Sequence, residues 1–147
     1  MKNRVITILL AVAILILGFG FTKMKTEQMM FQKEADQSFT TAYTQLVLNM
    51  LNMTIDGVGE NAIHRYETEN TKYGHTLVSL CKYTSFHSNQ LSYIVSVLDQ
   101  ASGYDAVYPV YMTKELYDTL KLVPNDQFGN ESILEDAKKA LEGAFAK

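Results

Sequence analysis

Three histidines, one cysteine and a spread of carboxylates give this 147-residue chain its widest chemical reach. His64 and His75 are eleven residues apart, so a helix returns them to nearly the same azimuth but about 16 Å apart along its axis. That is too far to share a metal ion at about 2 Å per bond. Cys81 and His87 differ by six positions, and a helix running through both points them to well-separated azimuths. Glu60, His64 and Glu67 fall at i, i+4 and i+7 on one helical face and have the donor types for a divalent cation. Bundle di-metal sites instead place Glu-x-x-His on each of two helices with further Glu from two others, and this chain has no Glu-x-x-His. The trio therefore reads as a solvated charged face. Gly-x-Ser-x-Gly, His-Glu-x-x-His and Gly-rich phosphate loops do not occur, and Gly57-Val58-Gly59 lacks the third glycine and the preceding strand of a dinucleotide site. The expectation is a chain without catalytic, cofactor-binding or metal-ligating residues, and not an enzyme.

What remains is surface chemistry. Tyr104, Tyr108 and Tyr111 surround Pro109 and offer aromatic area with polar tips, a candidate partner-contact surface. The alternative is that these rings seal the open end of a helical bundle. Asn52-Met53-Thr54 and Asn130-Glu131-Ser132 match the glycosylation sequon, a pattern frequent by chance.

Thirteen basic and sixteen acidic side chains give a net charge of −3, but the two ends differ. Residues 1–25 hold Lys2, Arg4, Lys23 and Lys25 and no acid, which leaves the remainder at −7. That balance argues against a nucleic-acid-binding face. A single cysteine excludes an internal disulfide framework and a four-cysteine zinc ribbon.

Val5 to Phe21 is a run of seventeen residues without a charge, with Leu10, Ile14 and Leu17 along it. At 1.5 Å per residue it makes about 26 Å, near the lower limit for a hydrocarbon core of roughly 30 Å. Snorkelling stems of Lys23 and Lys25 extend its reach. The run reads as a signal-anchor or transmembrane segment over residues 1–25, with the bilayer as one partner. The bulk of the chain is then expected outside the cytoplasm, although the balance of Lys and Arg on the two sides leaves both orientations open. A cleaved secretory signal is the competing reading, since Met1–Arg4 is a short basic region and Gly18-Phe19-Gly20 offers small residues at cleavage offsets.

The rest, 26–147, reads as one helical domain. Neither Pro nor Gly occurs between Thr22 and Asp56, so the first helix is expected to run from Val5 to Thr54, about 75 Å. Phe31, Ala35, Phe39, Ala42, Tyr43, Leu46, Met50 and Met53 recur at three and four along it, the mark of one buried face. From Tyr66, alternating steps of four and three pass through Asn70, Tyr73, Leu77, Leu80, Thr84, His87, Leu91, Ile94 and Leu98. That spacing predicts a second long helix with a seam of the kind seen in coiled coils and antiparallel bundles, ending at Ser102-Gly103. A short helix is expected from Thr113 to about Leu122, and a last one opening at Asn130 or Ser132, with Ser132 and Glu135 spaced as a capping box. The fold class is all-α: an N-terminal membrane helix continuous with a long helix, in an antiparallel bundle of about four helices.

The order of parts resembles the LemA family of small membrane-anchored helical proteins. The matching pieces are Glu34-Ala35-Asp36 with Ala42-Tyr43, the turn at Ile55-Asp56-Gly57-Val58, Tyr108-Pro109, and Glu131-Ser132-Ile133 leading into Ala137-Lys138. The family's run of two arginines followed by Asp-Leu-Ile-Pro-Asn is absent, and Asn52–Gly57 stands in its place. The resemblance implies fold and membrane location, and no catalytic residues. The functional expectation is a non-enzymatic binding or assembly component of the cell envelope, with a protein partner or self-association and no cofactor. The alternatives are a sensor-type bundle holding a small ligand between helices and a secreted helical protein.

Overall fold

The computed structural model describes the backbone of residues 2–55, 57–101, 113–121 and 123–145, and side chains for Leu10 and for 12–55, 57–101, 117–121 and 123–143. The regular elements among the described residues are all helices: α1 (Lys2–Met53), α2 (Glu60–Cys81), α3 (Asn89–Ala101), α4 (Thr113–Leu120) and α5 (Glu131–Phe145). It divides into two units, Met1–Glu34 and Ala35–Lys147.

The first unit is the N-terminal part of α1. Its described apolar side chains, among them Leu10, Ile14, Leu17 and Phe21, are exposed. The expected membrane span does not survive: among the described residues no helix is long and apolar enough to cross a membrane. The whole charge-free run, Val5–Phe21, makes about 26 Å of helix, short of a hydrocarbon core of roughly 30 Å. Polar and charged residues follow it directly, Thr22 turning its hydroxyl back to the Phe19 carbonyl at 2.9 Å and Lys23 pairing with Glu27 at 3.9 Å. The Val5 side chain lies outside the described residues. The bilayer partner, the single-pass location and an extracytoplasmic bulk domain rested on that span and are withdrawn with it.

The second unit is a helical bundle. The face of α1 read from the sequence is its floor between Ala35 and Met50, with Ala35, Phe39, Ala42, Tyr43, Leu46 and Met50 all buried, whereas Phe31 at one end of that face is exposed and Met53 at the other is half-buried. Leu77 and Cys81 of α2, Leu91, Ile94, Val95 and Leu98 of α3, and Leu134, Ala137 and Leu141 of α5 complete one core. Helix α3 packs on α2 and on α5, and α4 packs on α5. Two loops are fixed to α1 by rings: Phe128 stands edge-on to Phe39 (5.3 Å, 87°) and Tyr43 (4.9 Å, 81°), and Phe86 lies 5.1 Å from Phe128. The buried Tyr43 hydroxyl donates to the Leu120 carbonyl at 3.1 Å, so the ring's one polar atom is satisfied inside the core.

The second long helix is broken. Helix α2 stops at Cys81 and α3 starts at Asn89, because hydroxyl side chains between them take up the backbone groups a continuing helix would use. Thr84 Oγ1 donates to the Cys81 carbonyl at 2.8 Å and closes α2. Ser88 Oγ accepts the Leu91 amide at 3.1 Å and caps α3. Asp36 of α1 accepts both the amide and the hydroxyl of Ser85, each at 2.7 Å, and fastens the turn to the bundle. At α5, Asn130 is the cap, its Oδ1 accepting the Ile133 amide at 3.4 Å, and Glu135 pairs with Lys139 at 3.9 Å on the outer face.

Candidate functional site

The break between α2 and α3 folds the chain back on itself, and this brings a thiol, an imidazole and a hydroxyl together. Cys81, the last residue of α2, meets His87 of the turn and Ser92 in the first turn of α3. Cys81 Sγ is 3.8 Å from His87 Nδ1 and 3.6 Å from Ser92 Oγ, and Ser92 Oγ is 3.5 Å from His87 Nδ1. The expectation of separate azimuths for Cys81 and His87 is therefore overturned, because it assumed a helix running through both. Ser92 Oγ also donates to the Ser88 carbonyl at 2.9 Å. A hydroxyl has one proton, so its lone pairs are what remain for the thiol and the imidazole.

Electrostatics set the state of the thiol. Cys81 is buried, and burial pushes its pKa above the ordinary value, the hydrogen bond with Ser92 opposing this in part. A reactive thiol needs the opposite environment, an electropositive and accessible one. Cys81 also closes the C-terminus of α2, the negative end of the helix dipole. At neutral pH this is a protonated thiol beside an exposed imidazole, a poor nucleophile despite the cysteine–histidine pairing.

The other ionisable groups pair locally. His64 Nδ1 is 3.2 Å from Glu67 Oε2 on the outer side of α2, and among the described residues no three His, Cys, Asp or Glu side chains gather as a metal cluster. His75 of α2 and Asp99 of α3 approach to 3.1 Å, a charge contact when the imidazole is protonated. Together with the Cys81–Ser92 contact it shows the two helices running antiparallel. Asn49 Nδ2 donates to Glu69 Oε2 at 3.2 Å, joining α1 to α2. Tyr104, Tyr108 and Tyr111 lie outside the described residues.

Open grooves score the surface of the bundle among the described residues. One of about 330 Å³ is lined by Gln37, Ser38, Thr41 and Ala42 of α1 and Tyr73 and Thr76 of α2. Another, of about 220 Å³, runs from Tyr43 and Val47 to Leu120 and Pro124. Asn125 donates to Thr44 Oγ1 at 2.6 Å across it, and Lys121 at its edge is held by Asp118 at 2.7 Å, which raises the ammonium above its ordinary pKa. The first groove has no charged group in its lining, and the ammonium at the edge of the second is already held by Asp118.

Sequence reasoning missed the site because it depends on where the helix ends. The signal that could have found it is Thr84-Ser85 with Ser88, three hydroxyls in five residues at the middle of the proposed helix. Comparison with protein-family models, with characterised proteins and with solved structures finds no match to this chain.

Proposed function

We propose that the chain is a non-enzymatic binding and assembly component, whose N-terminal helical stretch is covered by further copies of the same chain. One observation carries this reading. Ile14, Leu15, Ile16 and Leu17 are 66, 72, 67 and 72% exposed, and four successive residues at 100° steps go almost fully round a helix. A helix apolar on every side offers apolar faces to more than one neighbour, so several like helices packed together cover more of it than a single groove does. The finer arrangement of residues 35–147 as an antiparallel bundle supports the same reading. It provides a self-contained body whose core uses no described residue before Ala35.

Sedimentation velocity of the full chain tests the proposal. A discrete oligomer that dissociates on Leu15→Asp with Ile16→Asp supports it, whereas a monomer or a continuum of aggregates refutes it. The second reading, a cleaved leader, draws on the same absence of core residues before Ala35, and N-terminal sequencing of the mature chain separates the two. Of the LemA-like layout, the turn after α1 and a last helix opening at Glu131 lend support, and the division of the second long helix counts against it. A small ligand between helices would occupy the groove at Tyr73, and a rise in melting temperature on ligand screening is its test.

A further inference from the structure

We propose that Cys81 Sγ, His87 Nδ1 and Ser92 Oγ form a site for one borderline divalent cation of the zinc and cobalt class, with water completing a tetrahedron. The geometry is the first argument. Separations of 3.8, 3.6 and 3.5 Å close a triangle whose centre lies about 2.1 Å from each donor, within a few tenths of an ångström of metal–ligand bonds to nitrogen, oxygen and sulfur.

The proton inventory is the second. With the Ser92 proton on the Ser88 carbonyl, the arrangement that binding requires, the hydroxyl's lone pairs remain for the triangle. The neutral imidazole tautomer protonated at Nε2 presents a lone pair at Nδ1, and the ring is exposed, so that proton is held by water. The thiol then has the only proton lying among three acceptors. Binding breaks the S–H bond, forms the sulfur–metal bond and passes the proton to solvent, with no change of oxidation state.

The third argument is the place in the fold. Cys81 ends α2, where the helix dipole favours a cation. The third protein donor is a hydroxyl, and His87 stands at the surface, so the site is open and its ion exchangeable.

The test uses the reduced full chain with Co²⁺ as the probe, followed by absorption spectroscopy. One equivalent should produce a thiolate-to-cobalt charge-transfer band together with the intense visible bands of tetrahedral coordination. Cys81→Ser should remove the charge-transfer band, His87→Ala should weaken binding about tenfold or more, and Ser92→Ala should weaken it less, because water replaces the hydroxyl. His64→Ala and His75→Ala should leave the spectrum unchanged. The proposal is overturned if no charge-transfer band appears, or if His87→Ala binds Co²⁺ as tightly as the parent chain. Should Cys81→Ser lose its helical circular dichroism, the His87→Ala titration decides alone, since that side chain is exposed.

Discussion

Phe128 offers the sharpest test of how the second unit is held together. It stands in the loop before α5, is 2% exposed, and meets Phe39, Tyr43 and Phe86 with centroids 5.3, 4.9 and 5.1 Å away. Replacing it by alanine removes the ring's burial, about 2–3 kcal/mol, and leaves a cavity beneath two loops and α1. The two edge-to-face contacts add about 0.5–1.5 kcal/mol each beyond burial, and these increments overlap. Phe128→Ala should therefore destabilise the fold by about 3–5 kcal/mol, the usual range for a buried phenylalanine. Phe128→Leu keeps most of the burial and loses the ring geometry, which predicts about 1–2 kcal/mol. Urea unfolding followed by circular dichroism gives both values, with the slope of the transition checking that the unfolded states are comparable. A loss below about 1.5 kcal/mol for Phe128→Ala, or equal losses for the two variants, would refute the claim that ring contacts fix these loops to α1.

Asp36→Ala removes two charge-assisted acceptors from Ser85 and should cost about 1–2 kcal/mol, with faster hydrogen exchange at the Ser85 amide; unchanged exchange would show that the turn is fastened elsewhere. Ser88→Ala deletes the cap of α3 and should cost about 1 kcal/mol in urea unfolding, and no change would mean that α3 does not begin there. Burial holds the Cys81 thiol and the Tyr43 phenol above their ordinary values, so the folded chain keeps protons that the unfolded chain releases. Their contribution is complete below the unfolded values, about 8.5 for Cys and about 10 for Tyr, and is lost as pH rises from there through the folded values. The urea midpoint should accordingly fall between about pH 8.5 and 10, and Cys81→Ala should flatten that fall; a midpoint level across this window would contradict the burial of the thiol.

The buried face of α1 was legible because a 3.6-residue period is a property of the helix alone: Ala35, Phe39, Ala42, Tyr43, Leu46 and Met50 face the core for the reason that placed them there in the sequence. The start of the last helix was legible to within two residues: of the two openings offered, Asn130 is the cap, and Ser132 of the expected capping box lies inside α5. The break at 82–88 was not. Leu77 and Leu91 both face one core, from α2 and α3, and their spacing keeps the same phase across the gap as a continuous helix would. Periodicity reports which side is buried and is blind to a reversal that preserves it. What reverses the chain is local hydroxyl chemistry assisted by Asp36, which reaches Ser85 from 49 residues away. That long-range bond has no signature in either segment taken alone.

The same reversal explains why a cysteine–histidine pair can exist here without implying catalysis. Had the helix continued, Cys81 and His87 would have faced apart, the imidazole on the seam and the thiol off it. Ending α2 at Cys81 instead brings an imidazole and a hydroxyl to its sulfur, while burial and the helix C-terminus both oppose a free negative charge on it. A nucleophile requires that charge to exist before the substrate arrives. A metal ligand requires it only once the cation is in place, and at a helix C-terminus the cation is the favoured partner. The environment that disables one chemistry is compatible with the other, so the cobalt titration and the alkaline unfolding curve examine the same electrostatic balance from its two sides.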